Sequence, residues 1–207
     1  MVKVVFAHGW GFDKSIWHKT INKLNIDCPI LLDFGYTGAR QHLSLQNCNK
    51  VIGVGHSMGF MWLLKNLKNP VSLISISGFD CFYSIYNKEV IKNMRRNIRK
   101  NTGTQMKYFH RIAGAPYFSK NFFDSVALDE SLKNLGEWNL QEKLLKSQIP
   151  IFSLASSDDK IIPIEHSKRV FRNRDLNIIS GCGHVPPLSD NVSYYRFLER
   201  ALNVSGT

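Results

Sequence analysis

Six short apolar runs, each ending at or within two residues of a glycine, serine or aspartate, constrain this chain more than any other feature. They occupy residues 2–7, 29–34, 51–55, 71–77, 149–155 and 176–180. Little polar alternation interrupts them, which suits parallel strands covered on both faces. Helix-compatible stretches fall at 14–24, 58–67, 166–172 and 192–202, the last with Tyr195, Leu198 and Leu202 at helical spacing. Alternating strand and helix predicts an α/β fold built on a doubly wound sheet. From 80 to 145 the strand runs stop and helix-like segments take over. That break predicts a helical cap inserted over the sheet rather than a separate domain, with residues 1–79 and 146–207 forming the core.

Composition narrows the classes further. At 207 residues and 23.7 kDa the chain fits one domain. Its 43% hydrophobic and 12% aromatic content suffices for a packed core and excludes wholesale disorder. No run reaches the roughly 18 apolar residues of a membrane-spanning helix. Residues 1–8 read as a buried strand, not a secretory signal. Cys28, Cys48, Cys81 and Cys182 lack C-x-x-C or metal-ligand spacing. Reduced thiols, a cytoplasmic setting and no metal or cofactor are therefore expected.

The segment 51–60 carries the strongest chemical signal. Gly55-x-Ser57-x-Gly59 lies between an apolar strand and an amphipathic helix, the context of a nucleophile elbow. Very small residues two positions either side let the turn close, and the serine hydroxyl is pushed out above the sheet. An unreactive Gly/Ser-rich βα turn and a phosphate-binding turn are the other readings, and the bulky Met58 and Phe60 argue against the second. A serine hydroxyl needs a base to take its proton. Of the seven histidines, His184 follows the last strand in a glycine loop, Ser180-Gly181-Cys182-Gly183-His184, where the order nucleophile, acid, base places it. His56 shares the turn of Ser57 and should point away from the hydroxyl, and His8 lies nearly the whole chain ahead of the loop expected to carry the base. His18, His42, His110 and His166 read as surface or core residues. For the acid, Asp159 is preferred over the adjacent Asp158, which reads as a turn or capping residue, and over Asp80 after the strand at 71–77. The backbone N–H of Met58, and that of Trp10 in His8-Gly9-Trp10-Gly11, suit the oxyanion of acyl transfer.

Together, Ala7-His8-Gly9-Trp10-Gly11-Phe12-Asp13, Ser15-Ile16-Trp17 and Gly55-His56-Ser57-Met58-Gly59 resemble the α/β-hydrolases. They are most similar to the pimeloyl-acyl-carrier-protein methyl ester esterases of biotin synthesis. The similarity is clearest over 4–62 and 149–188 and loose in the cap. The resemblance implies a Ser57–His184–Asp159 triad, with Trp10 and Met58 as oxyanion donors. It also implies a cap phenylalanine lining the acyl pocket, for which Phe109 is the candidate, with Tyr108 beside it. The chain opens directly on the strand before His8-Gly9-Trp10, so a minimal sheet of about six strands is expected.

The net charge of +11 is concentrated at 88–120, which holds nine lysines and arginines against Glu89 alone. Val90, Met94 and Ile98 recur at helical spacing, while Lys92, Arg95, Arg96 and Arg99 share another face. With Arg111, these basic residues could dock a small acidic acyl carrier protein, or they could form a solvated face. No nucleic-acid motif accompanies the charge, and no second signal supports membrane anchoring. A monomer hydrolysing a methyl ester on a carrier-bound pimeloyl chain is the leading expectation. General short-chain carboxylesterase activity on soluble esters and a non-catalytic hydrolase-fold binding protein are the alternatives.

Overall fold

The computed structural model describes residues 2–38, 50–118 and 120–206. Six strands, β1 (Lys3–Ala7), β2 (Ile30–Leu32), β3 (Val51–His56), β4 (Ser72–Ile76), β5 (Ile151–Ser156) and β6 (Asp175–Ile179), form one sheet in the order β2-β1-β3-β4-β5-β6. Every neighbouring pair runs parallel. Each of the six apolar runs supplies one strand. All residues of β3, β4 and β5 are buried, whereas the edge strand β6 is mostly half-buried. This is why the central runs are continuously apolar.

Helix α1 (His18–Lys23) follows β1, α2 (Met58–Asn66) follows β3, α6 (Ile164–Val170) follows β5, and α7 (Val192–Gly206) follows β6. The stretch at 14–24 divides into a 3-10 turn, Lys14–Trp17, and α1. Asp13 fixes that turn by accepting the Ser15 N–H at 2.9 Å. The helix expected at 166–172 begins earlier, after Pro163, whose ring suits a helix start. Helix α2 packs on β1, β3 and β4, and α7 on β4, β5 and β6. Phe6, Phe12, Trp17 and Phe60 lose all solvent contact, each burial being worth about 1.5–3 kcal/mol before entropy is counted.

Between β4 and β5 lie a 3-10 turn (Phe82–Ser84), α3 (Lys88–Ile112), α4 (Ser125–Glu137) and α5 (Gln141–Lys146). One antiparallel bridge, Cys81 to Asn139, joins the start of this insert to its end. Helix α3 is broken at Asn101, where φ is −161° and ψ is 95°. The Asn101 side chain caps the second half by accepting the Thr104 N–H at 2.9 Å. The buried face of the first half is wider than the Val90, Met94, Ile98 stripe. Ile91 and Ile98 are buried against the body, while Val90 and Met94 are half-buried along a cavity.

Register places the site. Ala7 of β1 pairs with Gly55 of β3, and Gly55 with Ser75 of β4, so the loops after β1, β3 and β4 open side by side. That carboxyl end of a parallel sheet is where ligands bind in folds of this kind.

Candidate active site

Strand β3 turns into α2 at Ser57, whose φ of 54° and ψ of −122° are rare for a residue with a side chain. Such a conformation costs on the order of 1–3 kcal/mol and persists only when its surroundings enforce it. Here Ser57 donates its N–H to the Ile76 carbonyl at 2.9 Å, and its own carbonyl accepts the Phe60 N–H at 3.0 Å. A Cβ at position 55 would strike the Phe60 backbone, and one at 59 would strike the carbonyl oxygens of Ala7 and His8. Both glycines are thus demanded by close approach of backbone, and the turn holds the Ser57 hydroxyl over the sheet end.

The Ser57 hydroxyl meets His184 Nε2 at 2.9 Å, and His184 Nδ1 meets Asp159 Oδ2 at 2.7 Å. A carboxylate only accepts, so Nδ1 carries the proton and Nε2 is left as the acceptor facing the hydroxyl. The other Asp159 oxygen accepts the N–H groups of Ile161 at 2.7 Å and Ile162 at 2.9 Å. The His184 and Asp159 side chains are 1% and 2% exposed, which excludes competing water.

Neither rival acid reaches His184. Asp158 accepts from the Ser156 hydroxyl at 2.6 Å and from the N–H groups of Gly181 at 2.8 Å and Gly183 at 3.0 Å. Partial burial alone would raise its pKa, but these donors outweigh it and hold the carboxyl below its ordinary value. Asp80 lies 3.8 Å from His166 Nε2, and burial raises its pKa.

His56 points away from the Ser57 hydroxyl, as its place in the turn predicts, and its Nε2 donates to the His184 carbonyl at 2.8 Å. Complete burial, then the proximity of His184, hold His56 well below the ordinary imidazole pKa, which keeps it a neutral donor. The His184 N–H in turn donates to the Ala113 carbonyl just past α3, at 2.9 Å. The loop carrying His184 is thereby pinned from three sides. The only sequence signal for His56 was its place inside the elbow. His8 accepts the Phe34 N–H at 3.0 Å and so ties the first loop to β2. His110 Nε2 donates to the Gly11 carbonyl at 2.8 Å, and His18 is exposed. His42 and Cys48 lie outside the described residues, and the other three cysteines are free thiols.

The backbone N–H groups of Trp10 and Met58 have no acceptor among the described residues, and both residues line the same cavity as Ser57. The Trp10 indole donates to the Leu128 carbonyl on α4 at 3.1 Å, fixing the first loop against the insert. The cavity holds about 280 Å³ between the sheet end and α3. Phe109 forms part of its wall, edge-on to Trp10 with ring centroids 4.7 Å apart, and Tyr108 lines it beside them.

The expected basic face of α3 is partly paired within the protein. Arg95 binds Asp129 of α4 through two bonds, of 2.8 and 2.9 Å, and Arg99 reaches the same carboxylate at 2.9 Å. Lys92 pairs with Glu89 at 2.7 Å, and Arg96 donates to Asn93 at 3.0 Å. Arg95 and Arg99 therefore link α3 to α4, while the Arg99 side chain stays 64% exposed. Arg111, in the second half of α3, has no acidic partner among the described residues and lies 5.5 Å from the Tyr108 ring centroid.

The parallel sheet, the elbow and the insert after β4 define an α/β-hydrolase fold. The thermophilic esterase from Thermogutta terrifontis shares it, with a TM-score of 0.78 at 16% identity over 100% of this chain and 91% of that one. In sequence the chain resembles the pimeloyl-[acyl-carrier protein] methyl ester esterase of Legionella pneumophila (strain Paris), at 26% identity over 216 residues, 90% of this chain and 89% of the relative. It is also similar to the Karrikin insensitive 2 receptor IA of Petunia hybrida, at 24% identity with 90% and 85% covered. No family model matches.

Proposed function

We propose that this chain is a serine carboxylic ester hydrolase whose catalytic residues are Ser57, His184 and Asp159. The observation that carries the reading is the continuous hydrogen-bonded series from Ser57 through His184 to Asp159 at the wall of an apolar cavity. Ser57 Oγ attacks the ester carbonyl as His184 Nε2 takes its proton, and the Trp10 and Met58 N–H groups receive the oxyanion. His184 returns the proton to the departing alcohol. Water, deprotonated by the same nitrogen, then hydrolyses the acyl-enzyme, and Asp159 stabilises the imidazolium in both halves. Phe109 and its neighbours hold the acyl chain, and residues 80–145 act as the cap that closes over it.

The substrate we infer is the methyl ester of a pimeloyl chain on acyl carrier protein, as the Legionella relative's name suggests. A short soluble ester is the second reading, favoured by the pairing of Arg95 and Arg99 with Asp129, which reduces the charge available to an acidic carrier. One experiment tests both levels. Purified protein and its Ser57→Ala variant are given pimeloyl-carrier methyl ester and monomethyl pimelate. Ser57→Ala should lower turnover of either by about 10⁴–10⁶. A kcat/KM at least tenfold higher on the carrier-bound ester supports the carrier substrate, and equal values support the soluble one. Activity retained without Ser57 overturns the hydrolase mechanism.

A further inference from the structure

Most of the cavity wall is aliphatic or aromatic, but Gln105 on the second half of α3 also belongs to it. The residue is 6% exposed. Its Oε1 accepts from Asn97 Nδ2 at 3.1 Å, and its Nε2 has no acceptor among the described residues. The unpartnered nitrogen keeps contact with the cavity, and a leucine or methionine would fill the same volume in an otherwise apolar wall without carrying a polar group there. The bond from Asn97 ties the two halves of α3 across their break but leaves the amide nitrogen without a role, and a ligand that accepts from it would supply one. The bond from Asn97 holds the amide oxygen and so presents the nitrogen, which can only donate. The rest of the wall offers little to neutralise a carboxylate. Lys160 is the only fully charged side chain in the lining, and it is exposed to solvent.

We propose that Gln105 is a specificity residue, donating from Nε2 to a neutral carbonyl oxygen carried by the acyl chain beyond the scissile ester. The substrate class is then an acyl group with a second carbonyl, such as an ester, thioester or amide, in preference to a plain alkyl chain of equal length. This rests on the reading of Ser57 as the nucleophile that attacks the ester in the same cavity. A site built to hydrogen-bond its ligand discriminates strongly against an analogue lacking the group, because its own polar atom is left unpaired.

The test compares three methyl esters of matched chain length: a straight-chain alkanoate, an α,ω-diacid dimethyl ester, and the diacid monomethyl ester with a free carboxylate. The original enzyme should favour the dimethyl ester over the alkanoate by about tenfold in kcat/KM, the size of one satisfied hydrogen bond. Gln105→Met, which conserves length and volume, should bring that ratio to about one. Binding of the same compounds to the Ser57→Ala protein and to its Gln105→Met double variant is measured by calorimetry and should show the same change in Kd. An unaltered ratio in the variant overturns the proposal, as does a wild-type preference for the free carboxylate, which would assign selectivity to Lys160. Selective binding without turnover would leave Gln105 in its role and refute the hydrolase reading instead.

Discussion

Replacing Asp159 and Asp158 separately by asparagine isolates what holds the base. In Asp159→Asn only one side-chain oxygen remains. Two backbone donors, Ile161 and Ile162, converge on Oδ1 at 2.7 and 2.9 Å, so the amide oxygen must occupy that position. The new NH₂ then faces His184 Nδ1 across the 2.7 Å contact, and two donors cannot share it. His184 is driven to the tautomer protonated at Nε2, which cannot accept the Ser57 proton. By analogy with serine proteases the loss in kcat is about 10⁴, or roughly 5.5 kcal/mol of transition-state stabilisation. In Asp158→Asn the oxygen keeps Ser156 and Gly181, and only the Gly183 contact fails. Asp158 is solvent-exposed, so that bond is discounted to about 1 kcal/mol, and kcat should fall no more than about tenfold. Steady-state hydrolysis of a chromogenic ester gives both numbers, and thermal melts establish that each variant is folded. Equal losses, or a folded Asp159→Asn retaining over a tenth of the activity, would refute the assignment of Asp159.

His56→Leu removes the donor to the His184 carbonyl and should lower kcat by about 10–100-fold with KM little changed; an unchanged kcat would mean the loop does not need that bond. Reversing Arg96 and Arg111 to glutamate should raise KM for a carrier-bound ester but not for a free one, and the effect should fade with salt; equal KM on both substrates removes the docking role. Asp129→Asn should destabilise the fold by about 1 kcal/mol, read as a lower urea midpoint, because it releases both Arg95 and Arg99; a midpoint unmoved would show that this clamp contributes nothing. Burial and then Arg169 hold His166 down to about 4, so as pH falls from 6.5 towards 4 the unfolded chain binds the proton first and stability drops. The contribution is present above pH 6.5 and lost by pH 4, partly offset by buried Asp80, whose raised pKa acts with the opposite sign. His166→Gln should flatten urea stability across that window, and an unchanged slope would exclude His166 as its source.

The sheet and the elbow were legible because their constraints are local. Continuous apolar runs mark strands covered on both faces, and only glycines tolerate the backbone approach at 55 and 59. The choice between Asp158 and Asp159 was less so, since adjacent carboxylates in one turn differ only in direction. What distinguishes them is that Ile161 and Ile162 draw one inward while Gly181 and Gly183 draw the other across to the next loop. The pairing of Arg95 and Arg99 was hidden for another reason. Helical periodicity reports which residues share a face, not what that face meets, and Asp129 arrives from a helix 30 residues further along. The break in α3 left a trace in Asn101-Thr102-Gly103, an asparagine cap followed by a helix-weakening glycine, but a long basic helix masks it.

The placement of His184 shows why the insert and the chemistry belong to one construction. A base on a glycine loop has little rigidity of its own, and proton transfer from Ser57 requires its ring to be held to within a few tenths of an ångström. The core supplies Asp158 and Asp159, the elbow supplies His56, and the end of α3 supplies the Ala113 carbonyl. Helix α3 also walls the cavity through Gln105 and Phe109 and is clamped to α4 through Asp129. The element that walls the cavity is therefore hydrogen-bonded to the loop that carries His184, the proposed base. Displacing α3 to admit a larger ligand would strain the His184 N–H bond to Ala113, so on the proposed reading cavity size and the alignment of His184 are mechanically coupled.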